Sequence, residues 1–161
     1  MIYRIAIGTI IDGKWKFDHY ATDEEYRNLR ITPDGKVVSL KIQEHFRNPI
    51  TGKPTYRIAE TDVSETHKVE VGFTFEGNQY FQNDILKIWI TKCDDEPEIN
   101  EFYYAKIYHD PEYDCLMIHD TNLEFDYTFA NYSIDWYNTS ESFDSWEIAG
   151  NSNENPELEE N

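Results

Sequence analysis

From His67 to Glu76 the chain alternates, with Val69, Val71, Phe73 and Phe75 set between Glu70, Gly72, Thr74 and Glu76. A two-residue period sends one set of side chains to a core and the other to water, which is the pattern of a half-buried strand. Val38, Leu40 and Ile42 alternate with Ser39 and Lys41 in the same way. Ile2–Ile11 and Lys14–Tyr20 flank Asp12-Gly13, and both turn residues tolerate positive φ, so this stretch predicts a hairpin. Pro33-Asp34-Gly35 separates a second strand pair, with Pro setting φ at its turn position. Residues 85–92 are almost continuously apolar, as expected of a strand buried on both faces. Phe102–His109 and Tyr113–Asp120 predict a further hairpin around Asp110-Pro111-Glu112, with residue 109 facing 115 and 105 facing 119.

One helix is predicted. Thr22 caps Asp23–Leu29, Glu25 completes a capping box, and acids stand at the positive helix end. Asn48–Pro54 and Cys93–Asn100 read as loops. The fold class is therefore all-β, or α+β if the one short helix is counted.

Charge changes the picture more than composition does. Residues 1–92 hold 13 Lys/Arg and 13 Asp/Glu, whereas residues 93–161 hold only Lys106 against 19 acids, which is the whole net charge of −18. The acidic part also carries 13 of the 25 aromatic residues, so it is expected to fold and to display its charge on a rigid surface. Such a charge argues against direct nucleic-acid binding and against anionic membranes. No stretch approaches the length of an apolar membrane span, and the N-terminus lacks the features of a signal peptide. Cys93 and Cys115 set no disulfide framework. The expected setting is the cytoplasm of a bacterial host cell.

Two segments carry a resemblance. Glu76-Gly77-Asn78-Gln79-Tyr80-Phe81-Gln82-Asn83-Asp84-Ile85 is a tight turn leading into the buried strand. The chain closes on Trp146-Glu147-Ile148-Ala149-Gly150-Asn151-Ser152-Asn153-Glu154-Asn155-Pro156-Glu157-Leu158. Together they resemble the YopX family of phage and prophage proteins, over residues 66–158. Asn83 stands where that family has Gly, and Asn is the ordinary residue most tolerant of left-handed φ.

The resemblance implies a small, partly open β-barrel, SH3-like in character, preceded by N-terminal strands and a hairpin. It also implies self-association and no enzyme activity. On this reading residues 1–60 are an N-terminal strand and hairpin region with the short helix, and residues 61–161 an acidic β-barrel-like region, the two forming one compact unit. Asn83, Asp84, Gly150, Asn151, Asn155, Pro156 and Leu158 are expected to be structural. Gly150 would permit a bend after strand Trp146–Ala149, Asn side chains would bond nearby amides, and Leu158 would plug an apolar spot.

Catalytic candidates are weak. His109-Asp110 and His119-Asp120 pair His with Asp, but a hairpin puts the two histidines on different rungs. Asp94-Asp95-Glu96-Pro97-Glu98 lacks the spacing of a calcium loop and reads as a solvated charge run. No nucleophile elbow, phosphate loop or dinucleotide fingerprint occurs, so no catalytic, cofactor-binding or metal residue is assigned and no cofactor is expected. The best recognition segment is Phe125–Trp146, dense in rings and acids; Tyr132, Asp135, Trp136, Tyr137 and Glu141 are the expected partner-binding residues. The expected function is a noncatalytic accessory protein that forms a homo-oligomer and binds a host or phage protein. A nucleic-acid mimic is the alternative, because same-face residues on a strand repeat at about 6.6 Å, near the phosphate spacing. A small hydrolase is a distant third.

Overall fold

A computed structural model describes residues 2–75, 77–90, 101–112, 114–120, 125–128 and 143–160. The fold is small and all-β, and its sheets include a strongly curled half-barrel. The chain divides into two compact units: Arg4–Val69, and Glu70–Asn161 together with Met1–Tyr3. The first carries 11 Lys/Arg and 10 Asp/Glu, the second 3 and 22, giving net charges of +1 and −19.

In the N-terminal unit, strands β1 (Ile2–Ile11) and β2 (Lys14–Tyr20) form the expected hairpin, with Ile11 opposite Lys14. Asp12 and Gly13 both adopt positive φ, 51° and 75°, which matches the right-handed twist of the flanking strands. The ladder slips between Ile7 and Gly8. A Cβ on Gly8 would lie 2.4 Å from the Lys16 carbonyl and 2.5 Å from the Trp15 indole, so only glycine lets that ring settle. The indole Nε1 then donates to the Thr66 carbonyl at 2.9 Å.

Helix α1 is shorter than its sequence signal. It spans Asp23–Tyr26, with the Thr22–Glu25 capping box complete. The phenol of Tyr26 accepts from the Ile5 amide at 2.7 Å, and Leu29 already begins strand β3 (Leu29–Ile31). A single turn has too few internal bonds to propagate, and pairing of Leu29 with Ser39 ends it. Strands β4 (Val37–Arg47) and β5 (Pro54–Asp62) complete a three-stranded sheet in the order β3-β4-β5. Val37 and Val38 are buried, as are Ile5 and Ala6 of β1.

Strand β6 (His67–Phe75) contributes residues on both sides of the unit boundary. In the acidic unit it pairs with β7 (Asn78–Phe81) across a turn in which Gly77 has φ 81°. The main sheet of this unit holds β8 (Asp84–Ile90), β9 (Glu101–Asp110), β10 (Cys115–Asp120), β11 (Phe125–Thr128) and β12 (Phe143–Asn151), in the order β11-β10-β9-β8-β12. Consecutive residues Ile85 and Leu86 are both buried, so β8 is covered on both faces there, as its apolar run implied. Ile88, Ala105, Ile107, Leu116 and Ile118 add to this core. The β9–β10 hairpin forms one residue out of its expected register: His109 faces Leu116, and Lys106 faces His119. A short 3₁₀ helix, η1 (Pro156–Glu160), closes the chain; sequence patterning missed it.

Candidate functional site

The two segments that carried the family resemblance meet. The closing strand β12 runs antiparallel to β8, placing Asn151 opposite Asp84 and Gly150 opposite Ile85. Asn83, at φ 71°, occupies the left-handed conformation its side chain tolerates. Its amide donates to the Ile107 carbonyl at 2.7 Å, and its own carbonyl accepts from the Ser152 amide at 2.8 Å. Beside it lies Glu70, 2% exposed, whose Oε2 accepts from Asn83 Nδ2 at 2.8 Å and from Asn153 Nδ2 at 3.0 Å. Asp84, also buried, accepts from the Phe81 amide at 2.9 Å. Burying carboxylates without donors is costly, so these contacts are required for the turn to close.

The last turn is held by asparagines. Asn151 Oδ1 accepts from the amides of Asn153 and Glu154, both at 3.0 Å, and its Nδ2 donates to Glu154 at 2.9 Å. The Asn155 amide returns to the Asn151 carbonyl at 2.8 Å. Pro156 opens η1, where its missing N–H costs nothing, and the half-buried Leu158 donates its amide to Asn155 at 3.1 Å. Glu159 takes bonds from Ser152 Oγ at 2.5 Å and Lys106 Nζ at 2.6 Å. The Lys106 bond first, then that of Ser152, lowers the Glu159 pKa below the usual carboxylate range.

The ladder slips between Ile148 and Gly150, an irregularity of the kind that bends a strand. The strand continues through Asn151, and a Cβ at Gly150 would lie 2.3 Å from Asn155 Oδ1. The glycine is there to admit the Asn155 side chain. This whole assembly is a clasp built of backbone and amide bonds, the buried Glu70 carboxylate and the Lys106–Glu159 ion pair.

The remaining candidates offer little chemistry. His109 Nε2 lies 3.0 Å from Asp114 Oδ1 beside the turn. Desolvation, then Asp110 and Asp114, raises the Cys115 thiol pKa, which opposes a nucleophilic role. Among the described residues no group of three His, Cys, Asp or Glu side chains is placed to hold a metal ion. No helix among them is long and apolar enough to cross a membrane. Tyr132, Asp135, Trp136, Tyr137 and Glu141, and the acidic run at 94–98, lie outside the described residues.

Sequence patterning missed the most exposed apolar surface among the described residues. On the β4–β5 ribbon Ile42, Phe46, Tyr56 and Ile58 are exposed, and Ile50 at the tip is 92% exposed. The tip itself is well tied: Asn48 Oδ1 accepts from the amides of Ile50 and Thr51 at 2.9 and 3.3 Å, and the Gly52 amide returns to the Asn48 carbonyl at 2.8 Å. A signal existed, since the alternation that makes β4 a strand extends to Ile42, well past the valines that its unit buries.

No protein-family model, curated protein or solved structure matches the chain.

Proposed function

We propose that this chain is a non-enzymatic accessory protein of a phage or prophage, working in the bacterial cytoplasm, that self-assembles and binds a host or phage protein. The observation that carries this reading is the division of charge between two compact units, +1 and −19. A β-rich unit carrying that much negative charge is suited to steering a cationic protein partner into contact. The acidic aromatic segment Phe125–Trp146 supplies rings for the contact, with Tyr132, Asp135, Trp136, Tyr137 and Glu141 as its binding residues. Resemblance to YopX proteins at the clasp residues supports the phage setting and the noncatalytic role.

Affinity capture from infected or lysogenic cells tests the binding surface. The wild type is expected to recover a partner that a W136A/Y137A double variant loses. Recovery of the same proteins by both would remove the acidic aromatic segment as the docking site. The same −19 unit also favours a second reading, a nucleic-acid mimic that occupies a basic groove. In that case duplex DNA competes for the captured partner; on the first reading it does not.

A further inference from the structure

The β4–β5 ribbon leaves its unit beyond Leu40. Seven successive residues of β4, Lys41 to Arg47, are exposed, and so are Thr55 to Ile58 on β5. Both faces of the ribbon therefore meet water, and a two-stranded ribbon in that situation is marginal on its own. Directly opposed residues share a face, and alternate rungs repeat it. The rungs Leu40–Glu60, Ile42–Ile58 and Glu44–Tyr56 make one face, while Lys41–Ala59 and Gln43–Arg57 make the other.

The first face is apolar and electrically quiet. Ile42, Ile58 and Tyr56 are 74%, 66% and 64% exposed. Each carboxylate beside them is already paired: Arg30 Nη2 lies 2.7 Å from Glu60, and Arg47 grips Glu44 through Nε and Nη2 at 2.7 and 3.2 Å. On the opposite face Lys41 and Arg57 form no ion pair among the described residues.

We propose that the Ile42–Ile58–Tyr56 face binds a second copy of this chain, ribbon against ribbon about a twofold axis. The inference rests on the self-assembly part of the proposed function and names its surface. Charge selects the occupant. Each copy carries −18, and the excess lies in the −19 unit, so contacts between two acidic units are repulsive. Residues 40–60 hold four Lys/Arg against two Asp/Glu, which gives two copies a surface where they approach without that repulsion. An isologous contact also needs a patch that fits itself, and an apolar centre with neutralised borders does so.

The area suffices. From Leu40 to Phe46, six steps of ~3.3 Å, β4 runs about 20 Å. Pressed against its copy the face buries roughly 500 Å² on each side, about 1,000 Å² in total, near the lower limit for a specific interface. The expected dimer is therefore of micromolar strength.

Sedimentation equilibrium of the full chain decides it. The wild type is expected to dimerise, more tightly as salt rises and the acidic units are screened. I42D/I58D should weaken association at least about tenfold, and the milder Y56S about threefold. K41E/R57E, on the far face, makes each copy four charges more negative, so its dimer should be intact at high salt, where that added repulsion is screened. Circular dichroism melting checks that each variant folds, which exposed positions favour. If I42D/I58D dimerises like the wild type, the ribbon contact is wrong and self-assembly stands. A strictly monomeric wild type removes both. Dissociation by K41E/R57E together with weakening by salt would mean that the ribbon docks on an acidic surface, and would overturn the twofold contact.

Discussion

The two units spend their hydrophobic residues in opposite ways. Among the described residues the acidic unit buries Tyr80, Ile85, Leu86, Ile88, Ala105, Ile107, Leu116 and Ile118, whereas the N-terminal unit buries Ile5, Ala6, Val37 and Val38. The N-terminal unit instead exposes Ile10, Ile11, Ile42, Phe46, Ile50, Tyr56 and Ile58; the acidic unit exposes Tyr3, Phe102 and Ile148. Among the described residues the unit with balanced charge is thus the one with more apolar surface to share, and the highly charged unit buries more of its apolar residues. The proposed association rests on the same segregation: like charge keeps acidic units apart, and the apolar ribbon is the proposed place for two copies to meet.

Truncating an isoleucine in each unit should separate the two most clearly. Ile88→Ala, in the acidic core, should cost about 2–5 kcal/mol through lost burial and the cavity left behind. Ile58→Ala, on the exposed ribbon, should change monomer stability by less than about 0.5 kcal/mol. Urea unfolding of the two variants below their association range measures both, and equal losses would refute the contrast.

The clasp is the next test. Gly150→Ala should destabilise by about 1–3 kcal/mol, because the new methyl displaces Asn155 from the Asn151 amide. Adding Asn155→Ala should recover part of that loss, so the double variant should be less than additive. Strict additivity would mean that the two residues do not share the space the geometry gives them.

Salt acts on the molecule as a whole. Raising ionic strength should raise the melting temperature, since screening relieves repulsion within the −19 unit. A falling melting temperature would mean that ion pairs such as Lys106–Glu159 outweigh the repulsion.

The smallest effect belongs to the N-terminal unit. Asp18, at 2.6 Å, and then Glu25, at 2.8 Å, raise the pKa of His19 above its ordinary 6.5. The Thr22 amide, and then His19, lower that of Glu25 below 4.5. The His19 contribution is complete below pH 6.5 and fades as pH rises through the raised value. That of Glu25 is present above pH 4.5 and fades as pH falls through the lowered one. Both groups are exposed, so only a slight stability maximum between these limits is expected, and H19Q should flatten it in a series of melts against pH.

Local signals read well because they depend on neighbours in sequence. The Asp12-Gly13 hairpin, the left-handed Asn83, the buried Ile85–Leu86 step and the Thr22–Glu25 capping box each rest on a few adjacent residues. Register and length were less legible. A hairpin one residue out of register still satisfies the same alternation within each strand, and only the turn at Asp110–Asp114 decides between the two pairings. The capping box likewise starts a helix without saying how soon a strand will claim Leu29.

Turn chemistry and the segregation of charge were therefore determined by the sequence itself, since each follows from side-chain type and spacing, whereas the alternation of β6 gave its strand but not the burial of Glu70, which it assigned to water. Which asparagines would reach Glu70, why Gly150 must lack a side chain, and where Ile42 and Ile58 lose their cover were decided only by the tertiary structure. Those outcomes depend on residues as distant as Glu70 and Asn153 coming within 3.0 Å, and on where a strand outruns the core behind it. Periodicity states that a residue has a face; packing decides whether anything lies against it.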